Sequence, residues 1–286
     1  MSHTATILSP QAILAQCAGS ASHVLIESVA ETGSTNADLL ARLEPEGQDG
    51  LDGPVLRIAH NQTAGRGRAG RSWLSEPGAA LMFSLAWRFQ GPLQHMSGLP
   101  MAVGVALAET ITALGVPVQI KWPNDLLRDG AKLGGILVET RQSRSDGAIW
   151  AVIGVGLNLL MPDQLEQQIG RSVAAAPWLA QMDRHTLMAA LLSRLAAVLA
   201  EFDDTGFAPF VERWNTLHAW QGQDVVLLDD GQVRQQGRAA GVDAIGRLLL
   251  DTPAGRVEVL SGDVSLRLSA AASLSAATTE GTPPCY

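Results

Sequence analysis

The sequence predicts an α+β fold in which a β-sheet packs against helices and is followed by a small β-barrel. Two patterns support this fold class. Apolar, β-branched runs alternate with helical patterns up to about residue 220, and five short strand-like runs with glycine turns then follow in under fifty residues. The chain has 286 residues, 47% of them hydrophobic, which is enough for a large core. At roughly 100 to 200 residues per domain, it suggests one large and one small domain.

The larger predicted domain, residues 1–220, contains the sheet and its helices. Ser34 and Thr35 offer N-caps for a short helix that ends near residue 43, whereas residues 97–114 form a longer, nearly all-apolar helix. Apolar residues three and four positions apart mark a third helix at residues 184–202, which should pack on the sheet. Strands are predicted at residues 24–29, 55–60, 81–87, 118–122, 135–139 and 150–159.

The smaller predicted domain, residues 221–269, is a barrel of the SH3 kind. Its strands are predicted at residues 225–228, 232–240, 248–251, 257–260 and 264–268. The remaining residues, 270–286, are rich in Ala, Ser, Thr and Pro and have few large apolar side chains. We therefore predict that they form a disordered tail.

Composition and charge exclude several classes of protein. The first twenty residues have neither Lys nor Arg nor a continuous apolar stretch, so we expect no secretory signal and a cytoplasmic protein. The most apolar run, residues 99–108, is about half as long as a membrane-spanning helix and is interpreted as a buried core helix, with no membrane partner. Cys17 and Cys285 provide neither a disulfide framework nor a Cys/His zinc site. A net charge of −8 disfavours DNA as the main partner.

The lysines are unevenly distributed. Of the 20 basic residues, all but Lys121 and Lys132 are arginines, and these two lie eleven positions apart. A compact ammonium differs from a planar guanidinium in how it donates hydrogen bonds, so this segment is a candidate for ammonium chemistry. Chance in an arginine-biased composition is the alternative.

A glycine- and arginine-rich segment, residues 62–73, follows a predicted strand and contains no acid; we call it the Gly-Arg loop. Glycines let a backbone approach a ligand closely, and arginines bind carboxylate and phosphate oxygens bidentately, so the loop suits an anionic substrate. Gly65, Gly67 and Gly70 match the dinucleotide fingerprint, but a strand is predicted next where that motif needs a helix. No Gly-Lys-Ser/Thr follows, which excludes a Walker loop. A solvated surface turn is the alternative interpretation.

Three further segments carry polar side chains in suggestive positions. After Pro123 ends its strand in a turn, Asn124 and Asp125 could supply oxygen ligands to Mg²⁺ with a nucleotide, or simply form that turn. Asn158 ends an apolar strand with two glycines, where it could face a ligand or serve a structural role. The hydroxyls of residues 31–36 could bind a polar head group or only cap a helix.

Taken together and in this order, residues 34–36, 65–71, 121–125, 132–139 and 154–158 closely resemble the biotin protein ligases, and residues 262–267 resemble that family's C-terminal barrel. The resemblance implies a mixed β-sheet catalytic domain backed by helices, followed by an SH3-like β-barrel. It implies a biotin site of Ser34, Thr35, Asn36, Gln62, Arg66, Gly67, Arg68, Lys132 and Gly135. It also implies an ATP site of Arg68, Arg71, Trp73, Asn124, Lys132, Asn158 and Arg267. Lys132 and Arg68 would be the catalytic residues, with Asp125 near Mg²⁺.

The implied reaction activates biotin with ATP as an acyl-adenylate and transfers it to a lysine of the biotin carboxyl carrier protein of a biotin-dependent carboxylase. A related lipoate or octanoate ligase, a biotin-responsive repressor and a non-catalytic binding module are the alternatives. Gly134 stands where the family often has Ala, which should do no more than loosen the strand start. Only about twenty residues precede the first strand, so we expect the monofunctional kind, without DNA binding. A weak homodimer is left open.

Overall fold

The computed structural model describes residues 7–43, 51–91, 93–143, 147–170, 173–229, 231–262 and 264–269. The predicted tail at residues 270–286, with Cys285, lies outside the described residues. The described part of the chain contains two β-sheets, seven α-helices and three short 3-10 helices.

The larger sheet has seven strands in the order β1-β2-β3-β7-β6-β5-β4. β1 and β2 are parallel, and every other neighbouring pair is antiparallel, which confirms the mixed sheet. The strands are β1 (Leu25–Thr32), β2 (Val55–Gln62), β3 (Ala80–Phe89), β4 (Gln119–Lys121), β5 (Asp125–Arg128), β6 (Ala131–Gln142) and β7 (Ile149–Asn158).

Helices cover the two faces of this sheet unequally. The helices are α1 (Pro10–Leu14), α2 (Thr35–Arg42), α3 (Leu99–Ala113), α4 (Asp163–Ile169), α5 (Pro177–Gln181), α6 (Arg184–Thr205) and α7 (Val211–Leu217). The long helices α3 and α6 pack in the main hydrophobic core on one face. On the other face, the short helix α2 packs Leu39 and Leu40 against Val55, Ala86 and Val152.

Two helical stretches, His95–Ala113 and Arg184–Thr205, are long and apolar enough to cross a membrane by length and composition alone. Their apolar windows are 67% and 56% buried inside the protein, as expected for core helices. This burial agrees with the interpretation of residues 99–108 as part of a core helix.

The smaller sheet is antiparallel, in the order β11-β10-β9-β8-β12. Its strands are β8 (Asp224–Asp229), β9 (Gln232–Val242), β10 (Leu248–Thr252), β11 (Gly255–Val259) and β12 (Val264–Leu268). The five predicted strands are all present, but no ladder joins β11 to β12 within the described residues, so the sheet is open there. Val225 and Leu227 join the main core, and Trp122 donates from Nε1 to the Gly246 carbonyl at 3.2 Å. The domain boundary near residue 221 stays a prediction.

The segment after Pro123 differs from the sequence-based expectation. Asp125 does not lie in a turn; it begins β5 and pairs with Lys121 of β4. Pairing resumes because Leu126 and Leu127 are both buried and stabilise a strand immediately after the proline. Asp125 and Lys121 are thereby held side by side.

Candidate active site

The candidate site lies on the sheet face that carries α2. Gly154 and Gly156 of β7 face this side, and each leaves room for a large neighbour. A Cβ on Gly154 would lie 2.3 Å from Asn36 Oδ1, and a Cβ on Gly156 would lie 2.5 Å from the Trp73 indole. Small residues in this strand therefore make room for Asn36 and Trp73, which reach the site from α2 and from the Gly-Arg loop.

Gly134 was expected only to loosen the start of its strand, but in the structure it lies against the neighbouring strand. A Cβ there would lie 2.8 Å from the carbonyl oxygen of Gly156 on the neighbouring strand. The glycine therefore permits a close approach between β6 and β7 directly under the site.

A chain of hydrogen bonds connects the polar residues beside α2. Gln62 Oε1 accepts from the Thr35 backbone N–H at 2.8 Å, and the Thr35 hydroxyl lies 2.6 Å from the Ser84 hydroxyl. Ser84 in turn donates to Asn36 Oδ1 at 2.5 Å. Ser84 is fully buried in β3 and was not predicted as a site residue, although a lone serine within an apolar strand was a usable signal.

Glu139 is the last member of this series of hydrogen bonds, on the side that faces solvent. Its Oε2 accepts from Asn36 Nδ2 at 2.8 Å and from Arg66 Nη2 at 3.0 Å. The sequence analysis included Glu139 in a motif but gave it no role in the site. In the structure it links the Gly-Arg loop to α2.

All nine residues predicted to bind biotin line one cleft, which we call the amide cleft. It runs between α2, the Gly-Arg loop and the sheet, and its free volume is about 60 Å³. Its lining combines hydroxyl and amide side chains with apolar side chains, glycines and three basic residues. The members are Ser34, Thr35, Asn36, Gln62, Arg66, Gly67, Arg68, Lys132 and Gly135, with Trp73, Phe83, Asn124, Ile136, Leu137, Gly154, Val155 and Gly156.

A second cleft adjoins the first and is strongly basic; we call it the cationic cleft. Its charged lining residues are Arg68, Arg71, Lys121, Lys132, Arg267 and Asp125. Five basic side chains thus face a single carboxylate, which suits a polyanion. Arg68 and Lys132 line both clefts and mark the junction between them.

Asp125 holds both lysines of the chain. Its Oδ1 lies 2.5 Å from Lys132 Nζ, and its Oδ2 lies 2.9 Å from Lys121 Nζ. Burial alone would raise the pKa of Asp125, but the charges of Lys132 and Lys121 lower it to about 2. Burial lowers the pKa of Lys121, an effect that the Asp125 charge opposes. The carboxylate is therefore ionised at neutral pH and fixes the Lys132 ammonium.

The predicted magnesium role of Asp125 would require its carboxylate to exchange existing contacts. Both of its carboxylate oxygens are occupied by ammonium groups. Within the described residues, no group of three or more His, Cys, Asp or Glu side chains could hold a metal ion. In this structure Asp125 contacts Lys121 and Lys132, and its role toward magnesium stays a prediction.

The Gly-Arg loop contacts both sheets. Arg68 Nη1 donates to Asn124 Oδ1 at 3.1 Å, and its Nη2 donates to the carbonyl of Gly262. Arg71 Nη2 donates to Ser265 Oγ at 3.2 Å. The loop therefore closes over the cationic cleft and is anchored to the C-terminal sheet.

Asn158 and Arg267, the two remaining residues predicted to bind ATP, differ in position. Arg267 lines the cationic cleft beside Lys121. Asn158 lines neither cleft; its Nδ2 donates to the carbonyl of Ala174 at 3.1 Å and lies 3.5 Å from that of Lys132. In this conformation Asn158 ties the end of β7 to neighbouring backbone, which matches the structural alternative.

Comparisons with known proteins identify the family of the chain. Residues 29–158 match the Biotin/lipoate A/B protein ligase family, and residues 222–267 match the Biotin protein ligase C terminal domain. The chain is 37% identical over 242 residues to the bifunctional ligase/repressor BirA of Escherichia coli, covering 82% of this chain and 71% of that protein. It is 37% identical over 257 residues to the biotin–acetyl-CoA-carboxylase ligase of Mycobacterium tuberculosis, covering 84% of this chain and 88% of that protein.

A solved structure extends the similarity to the fold. The biotin protein ligase of Aquifex aeolicus in complex with biotin and ATP superposes with a TM-score of 0.68 at 27% identity. The superposition covers 86% of this chain and 99% of that chain. By family, by sequence and by fold, the chain belongs to the biotin protein ligases of the Biotin/lipoate A/B protein ligase family.

Proposed function

We propose that the chain activates biotin with ATP as biotinyl-adenylate and transfers the biotinyl group to a lysine of a biotin carboxyl carrier protein. The junction of the two clefts at Lys132 and Arg68 supports this most strongly. A carboxylate ligand in the amide cleft and phosphates in the cationic cleft would meet at these two side chains. Because ATP is the second substrate, we propose that the reaction takes place in the cytoplasm.

In the first step, a carboxylate oxygen of biotin attacks the α-phosphorus of ATP. A carboxyl–phosphate bond forms, the bond to the β-phosphate breaks, and pyrophosphate leaves. The protein contributes orientation and charge neutralisation, because both reactants are anions that repel each other. Lys132 is the group held at the junction, and its bond to Asp125 fixes the direction of the ammonium.

The residues beside α2 would bind the ring end of biotin. A ureido ring presents one carbonyl acceptor and two N–H donors, which amide and hydroxyl groups can match. Thr35, Asn36 and Gln62 hydrogen-bond to one another or to Ser84 here, so they would exchange some of these bonds for ligand bonds. Ser34 contributes a hydroxyl that also caps α2.

The cationic cleft would hold the nucleotide. Arg68, Arg71 and Arg267 would neutralise phosphate oxygens, and the faces of Trp73 and the amide of Asn124 would border the nucleoside. Asn158 would act on ATP only through the backbone that it holds. Magnesium is implied by the family resemblance, but we assign it no protein ligand because both oxygens of Asp125 are taken.

In the second step, the amine of an acceptor lysine attacks the carbonyl carbon of the adenylate. The new amide bond forms, the carboxyl–phosphate bond breaks, AMP leaves, and the amine proton passes to solvent. No protein nucleophile is needed. Arg68 and Lys132 would stabilise the negative charge of the departing AMP, and the same two residues would therefore act in both steps.

The decisive experiment is ATP–pyrophosphate exchange with biotin or lipoate as the carboxylate. We expect exchange that depends on biotin, and transfer of radiolabelled biotin to a carrier protein identified by mass spectrometry. Exchange that depends on lipoate instead would favour the related lipoate ligase. Binding of biotin without any exchange would favour a non-catalytic binding module.

A further inference from the structure

A separate cavity of about 500 Å³ lies beneath β2 and β3, outside both clefts. It shares no lining residue with either of them. Its volume falls within the range of roughly 300 to 1,000 Å³ typical of small-molecule sites. Its apolar lining includes Leu8, Ile58, Leu81, Leu160 and Ala180. The cavity is therefore large and apolar enough to hold an organic ligand.

The cavity is lined by one cation, Arg184, that forms no ion pair within the described part of the chain. Arg184, the first residue of α6, lines the cavity and donates from Nη2 to the Gly78 carbonyl at 3.0 Å. Across the described residues, no carboxylate forms an ion pair with it, although Glu76 also lines the cavity. A partly buried guanidinium that bonds only a neutral carbonyl retains most of its capacity for an anion.

His60 and Glu76 also line the cavity and limit the charge that a ligand can carry there. Burial lowers the pKa of His60, and the nearby Arg184 charge lowers it further, so His60 is neutral at pH 7. Glu76 adds a negative charge to the rim. With Arg184 as the single facing cation, the cavity suits one negative charge and disfavours a phosphate dianion.

We infer that this cavity binds an apolar monocarboxylate, with its carboxylate on Arg184 and its hydrocarbon body against Ile58 and Leu81. Burial of the hydrocarbon supplies the hydrophobic contribution, and the guanidinium supplies a charge-assisted, bidentate hydrogen bond. Both a fatty acid and a second molecule of biotin have this chemistry. The assignment does not depend on the reaction in the two clefts.

The test is equilibrium dialysis in the presence of ATP. It measures the binding of radiolabelled decanoate and, separately, of radiolabelled biotin to the full chain. We expect one saturable monocarboxylate per chain in addition to the biotin held in the clefts. If excess biotin displaces bound decanoate, the ligand of the cavity is biotin. If decanoate stays bound in excess biotin, the ligand is a fatty acid. Absence of additional saturable binding in both arms would overturn the assignment.

Two variants connect that binding to the cavity. Arg184→Gln removes the cation and should weaken monocarboxylate binding roughly 10- to 100-fold, the usual effect of losing a charged hydrogen bond. Ala180→Leu fills the cavity from α5 and should reduce binding even if the first variant folds poorly. The matched control is Arg194→Gln, another arginine of α6, which pairs with Glu109 away from the cavity.

All three variants should keep wild-type pyrophosphate exchange, because none alters a cleft residue. Wild-type decanoate and biotin binding by both Arg184→Gln and Ala180→Leu would show that the ligand binds elsewhere. Equal weakening by Arg194→Gln would likewise contradict the assignment, since it would indicate a general effect on the fold.

Discussion

A substitution at Lys132 can test whether catalysis needs only a positive charge there or also the shape of an ammonium group. Lys132 lines both clefts, and its Nζ is held by Asp125 at 2.5 Å. An ammonium fits between two anionic groups as a compact donor, whereas a guanidinium is wider and fixed in its hydrogen-bond directions. We expect Lys132→Arg to lose roughly 10²- to 10³-fold in biotin-dependent pyrophosphate exchange, the usual effect of one misplaced transition-state contact.

Lys121→Arg is the matched control for that variant. Lys121 bonds the other oxygen of Asp125 and lies over the Trp220 ring, but it lines only the cationic cleft. We therefore expect a milder loss, with thermal melts confirming that both variants fold. Near wild-type exchange by Lys132→Arg would show that charge alone suffices at this position.

At the residue scale, the order of the motifs predicted residues that lie together in the structure, but it did not predict the long-range contacts between them. The nine biotin-site candidates share a cleft because their segments end at one face of the sheet. Ser84 and Glu139 were missed because their importance depends on Asn36, which lies far from both in sequence. The pairing of Asp125 with two lysines was also not predicted, since it requires the β4–β5 pairing.

Among the elements, the Gly-Arg loop is the one expected to move during catalysis. The amide cleft has only about 60 Å³ of free volume, well below the roughly 300 Å³ that a small-molecule site needs. The Trp73 indole fills the space over Gly156. Opening of the loop would move Trp73 away, and closure over the ligand would restore the contacts of Arg68 with Asn124 and Gly262.

Arg68→Ala should therefore weaken retention of the adenylate. We expect faster release of labelled biotinyl-adenylate in filter-binding assays and more labelling of bystander lysines. The control is Arg234→Ala, an exposed arginine of the C-terminal sheet that pairs with Asp229. Retention of the intermediate by Arg68→Ala at the wild-type rate would exclude Arg68 from the closing contacts.

Element boundaries were predicted closely for the long helix α6 and for the short strand β12, whereas the short strand β5 was missed. The prediction of 184–202 corresponds to α6, which extends three residues further to Thr205. β5 was missed because its four residues follow a proline that the sequence analysis interpreted as the start of a turn. The burial of Leu126 and Leu127 in the folded protein stabilises a strand there instead of a turn.

For the molecule as a whole, the net charge of −8 leads to a prediction about nucleic acid. Binding to a phosphate backbone requires clustered basic residues and releases counterions, which an acidic protein does poorly. We expect no specific shift of operator DNA in a gel assay with biotinyl-adenylate present. Specific nanomolar binding at physiological salt would refute this expectation.

Global stability should fall on mild acidification because of one buried histidine at the junction of the two sheets. His218 bridges to Ile120 in β4, and its ring centroid lies 4.6 Å from that of Trp214. Its Nδ1 lies 3.2 Å from Gln221 Oε1, while its buried Nε2 has no partner within the described residues. Burial lowers its pKa to about 4, so the folded protein keeps His218 neutral at pH 5.

The unfolded chain, by contrast, binds a proton on this histidine below about pH 6.5. Its contribution to stability is therefore complete above about pH 6.5 and disappears as the pH falls to about 4. The difference amounts to roughly 3 kcal/mol across that window. Asp125 stabilises the folded protein in a separate pH range. Its contribution is lost only as the pH falls from its ordinary pKa of 3.8 to about 2.

We expect His218→Phe, which keeps an aromatic ring against Trp214, to remove most of this pH dependence. The measurement is the free energy of unfolding in urea at pH 7, 5.5 and 4.5 for wild type and variant. Wild type should lose stability progressively over this series, whereas the variant should lose less, because residue 218 no longer binds a proton in the unfolded chain. The remaining slope of the variant comes from groups such as His60, whose pKa is also lowered in the folded protein. An equal slope in both proteins would mean that His218 is protonated in the folded state, or that other groups control acid stability.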